Sequence, residues 1–152
     1  METEGEPMRI STKGRYAMRL MLDLAEHQGD GYVSLKDAAE RQEVSKKYLE
    51  QIVPALSRAG CLLTNRGSQG GYRLARRPAD YTARDILRLT EGSLAPVACL
   101  DGEANVCPRR AGCPTLPLWQ GLDRVIEDYL AGITLQDLLD RQKENSGDDY
   151  VI

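Results

Sequence analysis

Apolar residues in the first third of the chain recur at helical spacing in three blocks, each opened by a hydroxyl side chain that can cap it. Ser11 or Thr12 precedes Ala17, Leu20, Met21, Leu24 and Ala25, and Gly29 and Gly31 end the run, which predicts a first helix. Ser34 opens a short second helix through Ala38, Ala39 and Arg41. Gln42 to Val44 leave a tight connection before Ser45 caps a third. There Leu49, Ile52, Val53 and Leu56 form one apolar stripe, so Lys46, Lys47, Glu50 and Gln51 lie on the opposite face of the first turns. Pro54 removes a backbone hydrogen bond and predicts a kink beyond those turns, and Gly60 is a natural C-cap. Two short helices joined by about three residues, the second capped at its start, make the helix-turn-helix pattern.

Cys61 to Asn65 then reads as a strand and Tyr72 to Ala75 as its partner. The tip between them, Arg66, Gly67, Ser68, Gln69, Gly70 and Gly71, is polar and glycine-rich, which suits close approach to a phosphate backbone. An arginine at such a tip can enter a narrow minor groove, and Arg73, Arg76 and Arg77 flank it. The expected fold class is therefore mostly α with a small β-hairpin wing. Beyond Pro78 and Tyr81, Thr82 caps a helix through Ile86, Leu87 and Leu89 that Gly92 closes. Ser93 to Pro114 has no apolar period but holds three prolines and three cysteines. Leu118, Leu122, Val125, Ile126, Tyr129 and Leu130 then mark a long helix from about Thr115 to Ala131, and Thr134 caps a last short one. The stripe on the long helix exceeds what one small core requires, which predicts a homodimer packed through it. The expected organisation is a winged helix-turn-helix over 8–80, the cysteine loop and dimerisation helices over 81–142, and a mobile tail over 143–152.

Charge changes the picture, because the net −3 averages two unlike halves. Residues 8–80 carry 13 lysines and arginines against 8 acidic residues, whereas 81–152 carry 7 against 12. A basic N-terminal half suits a polyanion such as double-stranded DNA. No stretch approaches the roughly 18 apolar residues of a membrane span, and the acidic start lacks the features of a signal peptide, so the expected place is the cytoplasm. Four cysteines in such a chain are not expected to form structural disulfides. Nucleophile and base pairs, a phosphate-binding glycine motif and a second histidine are missing, so an enzyme is not expected.

Three segments together resemble the Rrf-two superfamily of bacterial winged-helix regulators, which includes IscR-like and NsrR-like members. They are Met8 to Ala17, reading Met-Arg-Ile-Ser-Thr-Lys-Gly-Arg-Tyr-Ala; Ser45 to Ile52, reading Ser-Lys-Lys-Tyr-Leu-Glu-Gln-Ile; and Arg66-Gly67 with Gly70-Gly71-Tyr72-Arg73-Leu74. The resemblance spans Met8 to about Gln142. It implies a dimer that sets two winged helices on a pseudo-palindromic operator, with Glu50 and Gln51 at base-contacting positions and Arg66 probing the minor groove. Lys46, Lys47, Ser68, Gln69 and Gly70 complete the expected DNA-binding set.

Cys99, Cys107 and Cys113 are separated by seven and then five residues. Soft thiolates on a flexible loop suit an iron-sulfur cluster, 2Fe-2S or 4Fe-4S, with zinc and a direct thiol switch as alternatives. IscR-like members carry three cysteines here, with the second gap and Trp119 matching and a first gap two residues shorter. Their fourth ligand is a histidine where this chain has Leu116. His27, the only histidine, reads as a solvent-facing helix-end residue, although a partner subunit's first helix could present it. Asp101, Glu103, a first-helix carboxylate or an external small molecule are the other candidates for the fourth position. Cys61 reads as a buried small hydrophobe, and Trp119 as core or dimer interface. The expected function is a regulator, in the main a repressor, whose operator affinity follows the state of the cluster. A winged-helix interaction or electron-transfer module that never meets DNA is the competing class.

Overall fold

The structure, a computed structural model, describes residues 10–102 and 107–148. Its elements are α1 (Thr12–His27), α2 (Leu35–Gln42), α3 (Lys46–Arg58), β1 (Leu62–Asn65), β2 (Gly71–Leu74), α4 (Ala83–Glu91), α5 (Leu116–Ala131) and α6 (Leu135–Asp148). Single 3-10 turns occupy Pro78–Asp80 and Ala98–Leu100. No described helix is long and apolar enough to cross a membrane.

The three leading helices start where a serine oxygen accepts an otherwise unpaired N–H: Ser11 from Gly14, Ser34 from Asp37 and Ser45 from Tyr48. Each such cap contributes about 1 kcal/mol. Thr82 and Asp85 form a reciprocal capping box on α4, and Thr134 with Asp137 does the same for α6. The C-terminal ends are equally local. Gly60, at φ +75°, donates its N–H to the Ser57 carbonyl while the Cys61 N–H reaches Leu56, so α3 closes in a Schellman turn that delivers Cys61 into the core. The same turn ends α2, with the Val44 N–H on the Ala39 carbonyl and the left-handed position taken by Glu43 at φ 54°. Pro54 sits inside α3 without ending it.

Leu20, Met21 and Leu24 of α1 pack with Leu35 and Ala38 of α2 and Leu49, Ile52 and Leu56 of α3. Tyr81, Ile86 and Leu135 close the same core from beyond the wing. The hairpin pairs Leu62 with Leu74 through to Asn65 with Gly71, so both strands begin or end one residue from the expected limits. A third backbone pairing flanks it, because Val33 and Tyr72 exchange both hydrogen bonds, at 2.9 and 2.8 Å. This close approach requires Gly71, where a β-carbon would run into the Val33 carbonyl. One expectation is corrected. Residues 143–148 are not a tail but continue α6, whose capped start and buried Leu135 and Leu139 anchor it on the body. Residues 149–152, Met8, Arg9 and Glu103 lie outside the described residues.

Asp23 is 2 % exposed and is held by the Arg41 guanidinium through two hydrogen bonds of 3.0 and 2.8 Å, with Gln42 adding a third at 3.0 Å. The carboxylate in turn holds Arg41 firmly in its charged form, chiefly through that hydrogen bonding. Removing one partner of a buried pair strands the other charge. Arg41→Ala is therefore expected to destabilise the protein by about 3 kcal/mol, because it leaves Asp23 buried without its cation. Asp23→Ala is expected to cost less, since Arg41 can turn to solvent. Urea unfolding of both variants checks this order, and equal losses would contradict it.

Candidate functional site

Two surfaces carry chemistry. On the first, Lys46, Lys47, Glu50 and Gln51 are all exposed on the opening turns of α3, opposite buried Leu49, Ile52 and Val53. Lys46 and Glu50 pair loosely at 3.8 Å, a solvent-screened contact that leaves both groups available to a ligand. At the hairpin tip Arg66, Ser68 and Gln69 are exposed, and Gly70 turns the chain by donating its N–H to the Gly67 carbonyl at 3.0 Å.

The four wing arginines are not equivalent. Arg73 bonds the Gly31 carbonyl at 3.1 Å, Arg76 lies 4.6 Å over the Tyr81 ring, and Arg77 pairs with Asp80 at 3.3 Å. Tyr81 itself is fully buried, donating its hydroxyl to the Cys61 carbonyl at 2.7 Å and accepting from the Arg76 N–H. Among the described residues Arg66 alone of these arginines is exposed without a protein partner. A sequence window ranks all four alike, because their partners are turns and rings brought in by folding.

The second surface is the cysteine loop. Cys99 belongs to the turn Ala98–Leu100, and Cys107 and Cys113 flank a run of turns between them. All three are half-buried, and no disulfide joins them. Among the described residues the thiols and their acidic neighbours are not drawn to one point. The donor set is nevertheless chemically suited to iron or zinc: three soft sulfurs on one loop. Cys99 opens onto a cleft of about 610 Å³ that it shares with Gln120, Asp123 and Glu127 of α5. Asp123 was not among the sequence candidates for a fourth donor, because only packing of the loop on α5 gives it a cleft in common with Cys99. Asp101 is exposed at the end of the 98–100 turn, and His27 is exposed on α1 beside Glu26 at 3.7 Å.

The thiols differ in character. Hydrogen bonding to Thr115, whose hydroxyl is 3.4 Å away, lowers the Cys113 pKa and favours its thiolate. Burial pushes the Cys61 thiol the other way, against the opposing influence of Arg76. Cys61 is indeed the buried small residue its position suggested.

Two contacts tie the loop's flanking helices to the rest of the fold. At the end of α4, Glu91 accepts from the Ser11 N–H at 3.1 Å and the Ser11 hydroxyl at 2.6 Å, capping α1 from across the fold. On its other side α4 presents Arg84 and Arg88 to Glu127 of α5, the latter at 3.1 Å. Helix α5 buries none of its own residues: Leu118, Leu122, Val125 and Tyr129 are 60, 41, 65 and 63 % exposed along one face. Trp119 is half-buried.

Comparison with known proteins gives one answer. The family profile described as Rrf2, iron-dependent transcriptional regulator, matches residues 10–141. The protein rrf2 of Nitratidesulfovibrio vulgaris is 39 % identical over 132 residues, 87 % of each chain. Among solved structures, CymR, the global cysteine regulator of B. subtilis, is 38 % identical with a TM-score of 0.71, covering 88 % of this chain and 97 % of its own. IscR of T. potens is 40 % identical with a TM-score of 0.70 and covers 90 % of both chains.

In the reduced, metal-free protein the thiol difference gives a direct expectation. Cys113 should be alkylated by iodoacetamide in the folded state and should keep reacting at pH values below those an ordinary cysteine needs, because a lowered pKa keeps thiolate present as pH falls. Cys61 should react only on unfolding. Mass spectrometry after brief labelling checks this, and equal modification of the two would contradict it.

Proposed function

Because the chain belongs to the Rrf2 family of transcriptional regulators, we propose that it is a cytoplasmic, dimeric repressor whose hold on its operator follows an iron-sulfur cluster borne by Cys99, Cys107 and Cys113. It is a DNA-binding regulator rather than an enzyme, as its relatives are named. The observation that carries the finer reading is the position of the loop. It joins α4, which caps α1 through Glu91, to α5, whose apolar face has no cover among the described residues. A symmetric dimer through Leu118, Leu122, Val125 and Tyr129 would bury that face and set two recognition helices one DNA turn apart. Lys46, Lys47, Glu50 and Gln51 then face the major groove, and Arg66, with Ser68, Gln69 and Gly70, the minor groove.

The three thiols supply sulfur ligands, and Asp123, sharing the cleft with Cys99, is the carboxylate at hand for a fourth position. A bound cluster contributes a centre whose redox state and integrity respond to oxidants and iron supply. Ordering of the loop would shift α4 against α5, and so the spacing of the two reading heads. A coupling of about 1–3 kcal/mol is enough to change operator affinity about 5- to 150-fold. A thiol switch is the second reading, favoured by the thiolate character of Cys113.

Purified without oxygen, the protein is expected to be coloured and to carry iron and acid-labile sulfide. Cys99→Ala, Cys107→Ala and Cys113→Ala should each lose the colour while Cys61→Ala keeps it. Stoichiometric zinc without iron would favour a structural metal, and a redox-dependent affinity in metal-free protein would favour the thiol switch. Sedimentation at micromolar concentration should give a dimer; a monomer would overturn that part of the reading. Against an operator selected from a randomised duplex pool, Glu50→Ala or Gln51→Ala should lower discrimination by roughly 1–3 kcal/mol at the contacted pair, and Arg66→Ala should weaken binding. Unchanged affinity for operator and unrelated DNA in all three variants would refute this docking.

A further inference from the structure

Between α3 and the wing lies a groove of about 570 Å³, with Pro54 and Ser57 on its helix side and Thr64, Asn65 and Arg66 on its strand side. We propose that this groove seats one phosphate of the DNA backbone, held by Ser57, Thr64 and Asn65. The inference rests on the DNA-binding reading of α3 and the wing and assigns residues outside the first turns of α3 and the hairpin tip.

The first argument is geometric. A recognition helix in the major groove and a wing in the adjoining minor groove are separated by a single sugar-phosphate strand. That strand has to cross the gap between α3 and β1. The exposed stripe of α3 leads there: Lys47, Gln51 and Pro54 follow at four- and three-residue spacing, and Ser57 comes next at three. Arg66 stands at the rim as the cation.

The second argument is chemical. The Ser57 hydroxyl is covered yet makes no hydrogen bond among the described residues, not even to a carbonyl of its own helix, the usual partner of a helical serine. A covered hydroxyl without a partner is disfavoured, and the residue that carries it lines the groove. Thr64 and Asn65 are exposed, and their side chains likewise make no hydrogen bond among the described residues. Two hydroxyls and an amide are neutral donors of the type that phosphates accept, and such contacts set register without reading sequence.

The test uses the full chain and two duplexes of equal length, an operator selected from a randomised pool and an unrelated sequence. Ser57→Ala and Asn65→Ala should each weaken binding to both duplexes roughly five-fold, the size of one neutral hydrogen bond. The preference for operator should stay as it is, and so should the slope of affinity against salt, because no charge is lost. Ser57→Ala should also raise the thermal midpoint of the free protein, which distinguishes a lost contact from damaged folding. A single methylphosphonate placed between the helix and wing footprints should weaken wild type, and Ser57→Ala should lose nothing further there. Wild-type affinity for both duplexes in the variants, or a loss confined to the operator, would overturn the phosphate seat while leaving the DNA-binding reading intact. Failure of the wild type to bind any duplex would instead remove that reading itself.

Discussion

A carboxylate buried as deeply as Asp23 must be paired, and the groups that pair it are the last residues of α2. Arg41 takes both its oxygens, and Gln42 takes one. Gln42 is then held from its other side, because its amide oxygen and its carbonyl accept from Arg19 at 2.9 and 3.0 Å. Arg19 lies 4.9 Å over the ring of Tyr16, which meets Tyr48 edge-on at 5.6 Å. One chain of contacts thus runs from α1 through the helix-turn-helix corner to the first turn of α3. Hydrophobic residues of equal volume can stabilise as well as a buried ion pair, but they would not fix the rotation of α2 about its axis. In this fold that rotation decides where the exposed face of α3 points.

Helix α4 plays the corresponding part for the second half of the chain. Its apolar residues Ile86 and Leu87 are buried, while its polar ends reach in two directions. Glu91 closes the N-terminus of α1, where Gly14 leaves room for the carboxylate, and Arg84 with Arg88 grips Glu127. The cysteine loop starts immediately after Glu91. Glu91, the residue that caps α1, is thus the last helical residue before the loop.

The wing shows how much a local pattern can mislead about availability. Four arginines within twelve residues suggest a uniformly basic blade, yet Arg73 and Arg76 are occupied in holding the blade to the body and Arg77 pairs with its neighbour Asp80. Arg76 over Tyr81, with the Tyr81 hydroxyl on the Cys61 carbonyl, clamps both strand ends where they leave the core. The hairpin is rigid at its base, and the cation left for a ligand is at its tip.

Helix starts and stops were legible in the sequence because they are contacts between neighbours: the serine and threonine caps, the Gly60 turn, the hairpin tip and the three-residue corner involve residues within about five positions of one another. Periodicity likewise identified the buried stripe of α3 and the apolar face of α5, and the motif segments identified the family. The end of α6 was misjudged, since its polar composition offers no apolar period beyond Leu139. Other features depended on residues distant in the chain: Asp23 with Arg41, Ser11 with Glu91, Val33 with Tyr72, Cys99 with Asp123, and the division of the arginines into structural and free. A cap is chosen by backbone groups that are close in any conformation of the chain. A buried ion pair or a shared cleft exists only after the core has closed and brought its members together, so tertiary structure alone decided them.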